Sequence, residues 1–304
     1  DLALVVHGED HDRDGDNEEA DGNRVTQDRA EVAVFQIHEA NEVLLAHRAK
    51  DESQQDRAER ELVLVHQPAD VLKDEFNGEA TASKLARVRE QMENEDAQYH
   101  IISTLDDIAW ILNVRGNDIP HVPVVLSFLV IGKEDAMWFV EENALSDAVK
   151  EMAAECGITI RPYEDVYAYA ATIPEHSTVL LDKRKVNYRI TKALSETVHI
   201  VSKANPSQLM KAIKNEIELE NTRKAHLLDG IAVTKFMYWL KKNVGKIPMD
   251  EVSVSDYLQS LREQMEGYRD ISFDTIAGYN ANAAMMHYKA EPDTAAKLEP
   301  QGML

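Results

Sequence analysis

The sequence predicts an α/β domain, with helices packed on a mixed sheet, followed by a second unit led by long helices. Three observations predict it. Strand-like and helix-like patterns alternate from residue 71 to residue 202. An Asn205-Pro206 pair then opens a fresh run of helices, and the first seventy residues differ in composition from everything after them. The expected divisions are 1–70, an acidic, atypical and partly disordered segment; 71–204, the α/β domain; and 205–304, the second unit.

Each element of the α/β domain has its own signal. Residues 81–94 carry Leu85, Val88 and Met92 amid Lys, Arg and Glu, a surface helix with one buried stripe. Residues 99–103 read as a buried strand. Thr104 and Asp107 have the spacing of a capping box ahead of a helix through Ile108, Trp110, Ile111 and Leu112 that ends at Asn113. After a loop over 114–121, residues 123–131 and 136–141 form a hairpin turning at Gly132-Lys133-Glu134-Asp135. A helix over 146–155 stops at Gly157. Short strands follow at 158–161, 178–181 and 199–202, with helical segments 163–171 and 187–194 between them.

In the second unit Asn205 caps a helix whose first position is Pro206, and a longer helix spans 216–243. Its apolar positions, including Ile217, Leu228, Ile231, Ala232, Phe236, Trp239 and Leu240, read as packing. Ser253 with Asp256 reads as the cap of a further helix over 254–265. The stretch from Ser272 to Tyr288 begins with strand-like alternation. Gly278 offers a positive φ at a turn, and the small residues 281–284 precede Met285-Met286-His287. A single histidine beside an apolar strand is more often a hydrogen-bonded core or rim residue than a working group.

Residues 1–60 hold more than twice as many acidic as basic side chains, and 8–24 are expected to be loose. A strand and a short helix are expected within 31–48, and a weak strand at 61–66. Asp10-His11-Asp12-Arg13-Asp14-Gly15-Asp16-Asn17-Glu18-Glu19-Ala20-Asp21 has the outline of a calcium loop. Asn17 stands where an aliphatic residue tethers such loops, Asp21 replaces the longer Glu, and no good incoming helix precedes it. The run reads as a solvated acidic tract.

At 304 residues and 44% apolar content, more than one core is expected. With 55 acidic against 33 basic side chains, the formal charge of −22 repels phosphate backbones and anionic lipid. Neither nucleic acid nor a membrane is expected as a partner. The single cysteine, Cys156, leaves no internal disulfide framework and reads as a small buried hydrophobe. No apolar run approaches the roughly 20 residues of a spanning helix, so a soluble, cytoplasmic protein is expected. Gly302-Met303-Leu304 resembles the start of a strand, and a fragment is the expectation.

The order of several motifs carries a resemblance. Leu105-Asp106-Asp107-Ile108-Ala109-Trp110-Ile111-Leu112-Asn113-Val114-Arg115-Gly116 with Asp118-Ile119-Pro120 is similar to the middle domain of the three-domain Xaa-Pro aminopeptidases. Lys211–Glu220, Arg223-Lys224-Ala225-His226 and Asp229-Gly230 resemble the opening helices of the aminopeptidase P and creatinase family's catalytic domain. Ser272–Ile276 and Asn282–Tyr288 resemble the approach to that family's active-site histidine. The resemblance covers about Val71 to Leu304 and does not extend over the first seventy residues.

The resemblance implies a creatinase-type mixed sheet with flanking helices, then the incomplete start of a pita-bread α+β catalytic domain. It implies a hydrolase that removes the residue ahead of proline from peptides, using two divalent metal ions, manganese or zinc. His287 corresponds to the histidine that hydrogen-bonds substrate and assists proton movement. The family's metal ligands, two Asp, one His and two Glu, fall past Leu304, so this chain alone is expected to bind no catalytic metal and to be inactive. Trp110, Arg115 and Asp118 are candidates for a substrate or subunit contact in a homodimer; their plainer readings are a core tryptophan and a loop closed by an Arg-Asp pair. His226 reads as core or rim and His121 as a turn residue. The alternative function is a non-catalytic creatinase-like module for oligomerisation or peptide capture.

Overall fold

The computed structural model describes residues 68–304, which fall within one compact unit spanning 63–304. The acidic tract 8–24 with its calcium-loop pattern, and the elements expected within 31–48 and 61–66, lie outside the described residues.

The sheet is mixed, as the sequence implies, and has six strands in the order β6-β5-β4-β2-β7-β8. Its members are β2 (Tyr99–Ile102), β4 (Ser127–Gly132), β5 (Ala136–Val140), β6 (Ile158–Arg161), β7 (Thr178–Leu181) and β8 (His199–Ser202). The hairpin β4–β5 and the β2–β4 pair are antiparallel, whereas β5–β6, β2–β7 and β7–β8 are parallel. Parallel neighbours need crossovers, and helices supply them. α4 (Asp147–Glu155) joins β5 to β6 and α6 (Tyr188–Ala193) joins β7 to β8, while α5 (Asp165–Ala170) lies on the return from the edge strand β6 to β7, the parallel neighbour of β2.

Because side chains alternate along a strand, a sheet covered on both faces needs consecutive apolar residues. Ile102, Leu129, Ile131, Trp138 and Val140 enter one core with α2 (Thr81–Asn94) and α3 (Leu105–Leu112). Ile101, Phe128, Val130, Phe139 and Leu181 enter a second core with Val166 of α5 and Ile190 of α6. Cys156 is half-buried at the edge of the first core, where burial pushes its thiol up.

Several sequence expectations change in detail. The loop over 114–121 begins with a strand, β3 (Val114–Arg115), paired antiparallel with β1 (Asp70–Val71), and α1 (Asp74–Asn77) follows β1. Two-residue strands carry no periodicity to read. Thr104 does not cap α3. Its hydroxyl instead donates to the Asp107 carboxylate at 2.5 Å, and Asn205 Nδ2 donates to both groups, so the expected caps of two helices are joined into one buried polar cluster.

That cluster helps seat the second unit, which opens with α7 (Pro206–Ala212) and the 28-residue α8 (Glu216–Asn243). Lys211 adds ion pairs to Asp106 and Asp107. Asn215 forms a complete capping box with Glu218, and its side-chain amide donates to the Asn77 carbonyl at 2.8 Å. Gly78 makes this approach possible. It holds φ +65°, and a Cβ there would lie 2.8 Å from both Asn215 Oδ1 and Ile217 Cβ.

Along α8 the expected packing holds for one end only. Ala232 is buried and Phe236, Trp239 and Leu240 pack on a third core, with Trp239 stacked on Tyr257 at 3.9 Å, whereas Ile217 and Ile231, both expected to pack, are exposed. The last helix, α9 (Glu251–Glu263), starts one turn earlier than Ser253 and Asp256 suggest. Asp250 is its cap and Ser253 closes the box, because the same Ser is the third helical residue rather than the cap.

Candidate functional site

The residues leading to His287 do not form the strand their alternation suggests. Among residues 267–304 the one regular element is a short 3-10 turn, Asn280–Ala284, and Phe273 and Ile276 are exposed. Gly278 serves the fold by lacking a side chain rather than by a positive φ. A Cβ there would lie 2.9 Å from Ala283 Cα, so the chain doubles back tightly at this point.

An irregular segment needs an external scaffold for its backbone polar groups. Here it is Glu251, the first residue of α9, whose side chain is fully buried. Its carboxylate accepts from Tyr279 N at 2.6 Å, Ala296 N at 2.8 Å, Asn282 Nδ2 at 3.0 and 3.1 Å, and the Tyr288 hydroxyl at 2.5 Å. Burial alone would push this carboxyl up. The Tyr288 hydroxyl, the Tyr279 and Ala296 amides and the Asn282 amide outweigh it and hold the group below the usual carboxylate range, with the start of a helix adding favourable field. The same bond pushes the Tyr288 phenol up.

Backbone pairing completes the scaffold. Leu298 N donates to Met249 O at 2.9 Å and Glu251 N to Ala296 O at 3.2 Å, while Asn280 N donates to Met303 O at 2.8 Å. Met249, Val254, Ala277, Tyr279 and Leu298 bury their side chains in the third core beneath.

His287 follows directly on this braced segment. It is exposed, holds φ 55°, and lies between Met286, which is 91% exposed, and Tyr288, which is tied to Glu251. The geometry therefore presents an imidazole to the outside on a fixed support, an arrangement suited to donating or accepting a proton at a bound molecule.

The other candidates lie elsewhere, Trp110 and Arg115 at the seam between the α/β domain and α8 and Asp118 in the loop that follows β3. Trp110 is buried, with Nε1 donating to Glu218 at 3.4 Å and Lys84 Nζ 4.4 Å from its ring centroid. Arg115 donates to the carbonyls of Ala109 and Val114, at 2.9 and 3.0 Å, and closes the end of α3. Asp118 accepts from Leu126 N at 2.7 Å, so Arg115 and Asp118 each brace backbone. His226 lies on an exposed part of α8.

Two residues that sequence reasoning passed over matter more. Glu251 has no signal among 55 acidic residues, since its donors come from up to 45 positions away. His121, read as a turn residue, does hold a turn conformation at φ 63°, but its ring also meets Asp270 and Asp274.

Among the described residues no group of three or more His, Cys, Asp or Glu side chains is placed to hold a metal ion. Among them also, no helix is long and apolar enough to cross a membrane.

Comparison with known proteins agrees with the architecture. The family model described as the creatinase/prolidase N-terminal domain matches residues 61–218, and that of metallopeptidase family M24 matches 220–304. A probable Xaa-Pro aminopeptidase P of Neurospora crassa is 34% identical over 248 residues, covering 78% of this chain and 36% of the relative. Xaa-Pro aminopeptidase 1 of Dictyostelium discoideum is 36% identical over 234 residues, covering 75% and 36%. The crystal structure of an X-prolyl aminopeptidase from Caenorhabditis elegans, described as a cytosolic enzyme with a di-nuclear active site, superposes with a TM-score of 0.72 at 28% identity, over 78% of this chain and 40% of that one. The chain thus spans well under half the length of these relatives.

Proposed function

The chain belongs to the creatinase/prolidase family and carries the opening of an M24 metallopeptidase domain, and from that footing we propose that it is part of a metal-dependent Xaa-Pro aminopeptidase. The observation that supports this most is the 34% identity, over 248 residues, to a probable Xaa-Pro aminopeptidase P. The substrate class is peptides with proline second. The bond ahead of proline is a tertiary amide without an N–H, which a site must recognise by its ring and carbonyl. Within that reaction His287 is the residue of this chain that meets the substrate, donating a hydrogen bond and moving a proton as the carbonyl becomes tetrahedral. Arg115 shapes the seam, Trp110 anchors it, and Asp118 braces the loop beyond β3.

In the whole enzyme two divalent ions, manganese or zinc, would supply Lewis-acid chemistry at the substrate carbonyl and the attacking water. The described residues do not converge to hold such ions, and the part proposed for them is that of His287 at the substrate. A cytosolic homodimer is the proposed setting, with the location supported by the description of the Caenorhabditis elegans enzyme.

The 304-residue chain with manganese and an Xaa-Pro-Xaa peptide is expected to show no turnover above a metal-only blank. Protein from the full reading frame is expected to release the residue ahead of proline. Turnover by the 304-residue chain contradicts its proposed inactivity. A reading frame whose complete product leaves the peptide intact favours a non-catalytic creatinase-like module instead.

A further inference from the structure

The loop over 116–126 is braced before it meets anything else. Asp118 N donates to Val124 O at 3.3 Å, Leu126 N donates to the Asp118 carboxylate, and Val122 N donates to Ile119 O at 3.1 Å. His121 sits at its tip. Its Nδ1 lies 3.2 Å from Asp270 Oδ2 and its Nε2 lies 3.2 Å from Asp274 Oδ1, with the ring 28% exposed and both carboxylates 50% exposed. Asp274 is also 3.6 Å from Lys289 Nζ, two residues beyond His287. A loop of the α/β domain is thereby tied to the approach to His287 through one imidazole.

A neutral imidazole has one N–H and one lone pair, so it donates to one carboxylate and turns a lone pair on the other. The imidazolium hydrogen-bonds Asp270 through Nδ1 and attracts Asp274 as an ion pair across Nε2. We propose that His121 is a proton-dependent latch, which in its charged form holds loop 116–126 onto Asp270 and Asp274 and releases one carboxylate when the ring loses its proton. The latch is closed while the ring is charged and opens when the ring is neutral. The charged groups facing it are Asp270, Asp274 and, through Asp274, Lys289. The inference goes beyond the proposed activity and its test requires no turnover.

Amide hydrogen exchange, corrected for intrinsic rates, reads the latch directly in the 304-residue chain. Between about pH 5.5 and about pH 8.5, protection of residues 118–126, whose Asp118, Val122, Val124 and Leu126 amides are hydrogen-bonded, is expected to fall at least about threefold, while the β4–β5 core amides stay constant. His121→Gln, which keeps a donor but no charge, is expected to be weakly protected at both pH values. His121→Arg, permanently charged and forked, is expected to be protected at both. Protection of 118–126 that is independent of pH in the unsubstituted chain overturns the proposal. So does His121→Gln matching the unsubstituted chain at the lower pH, or His121→Arg following the same pH profile as histidine.

Discussion

Glu251→Ala is expected to destabilise the region around residues 277–298 by about 3–5 kcal/mol, because it strips a buried acceptor from two backbone amides, an amide side chain and a phenol at once. The Tyr279 amide loses its partner in the interior, the Ala296 amide and the Tyr288 hydroxyl lose theirs where they are partly buried, Asn282 keeps only the Tyr288 oxygen, and the third core beneath loses the segment that closes it. Glu251→Gln keeps the shape but points an NH2 at groups that already donate, so about half that loss is expected. Denaturant unfolding measures the size of the effect, and amide exchange shows its place. Protection is expected to vanish over 277–298 and to persist in β2, β4 and β5. Uniform protection in the alanine variant contradicts the role given to this carboxylate. The pH dependence has a definite sign. The folded-state value of Glu251 is depressed, so its stabilisation is present above the ordinary carboxylate range and is lost as pH falls through the folded value.

Lys84→Ala is the second large effect. Lys84 is 1% exposed, donates to Trp110 O at 3.0 Å and to Asn113 Oδ1 at 2.6 Å, and lies against the Trp110 indole. Truncation removes a packed stem and leaves two acceptors unpaired at the seam where α2, α3 and α8 meet, at a cost of about 3 kcal/mol. Lys84→Met refills the space and is expected to cost about 1–2 kcal/mol, since it also removes a charge that burial disfavours. Burial pushes this ammonium down to about 8, against the pull of Glu218 and Glu79. Between that value and the ordinary 10.5 the unfolded chain binds more protons than the folded one. The contribution of Lys84 to stability is therefore full above the unfolded value and is lost as pH falls through about 8. A stability that rises with pH across this window, and a flatter profile in Lys84→Met, are the expected results; equal slopes contradict them.

The elements of the α/β domain were legible because each has a local cause. Leu85, Val88 and Met92 mark one helix face, Ser146 and Asn187 cap their helices with side-chain bonds, and Gly132–Asp135 turns a hairpin. Strand order was not legible, since pairing β2 with β7 depends on contacts about eighty residues apart. Alternation misled at Ser272–Ile276, which pairs with no strand among the described residues and leads into the segment from Tyr279 that Glu251 organises. The start of α9 was displaced for a related reason, because Asp250 and Ser253 offer the same capping chemistry as Ser253 and Asp256 one turn earlier, and burying Glu251 at the first helical position selects the earlier start. At the candidate site, His287 was visible from the motif around it. Glu251 and His121 were not, because what distinguishes them is which distant groups reach them.

The most direct measurement is turnover of an Xaa-Pro-Xaa peptide by the protein of the full reading frame and by its His287→Ala variant, both loaded with manganese to the same content. A fall in kcat of about 10²–10⁴-fold, with metal content and unfolding midpoint unchanged, is the result expected if His287 handles substrate and proton. A kcat within about twofold of the unsubstituted enzyme would place His287 outside the chemistry and contradict the reading.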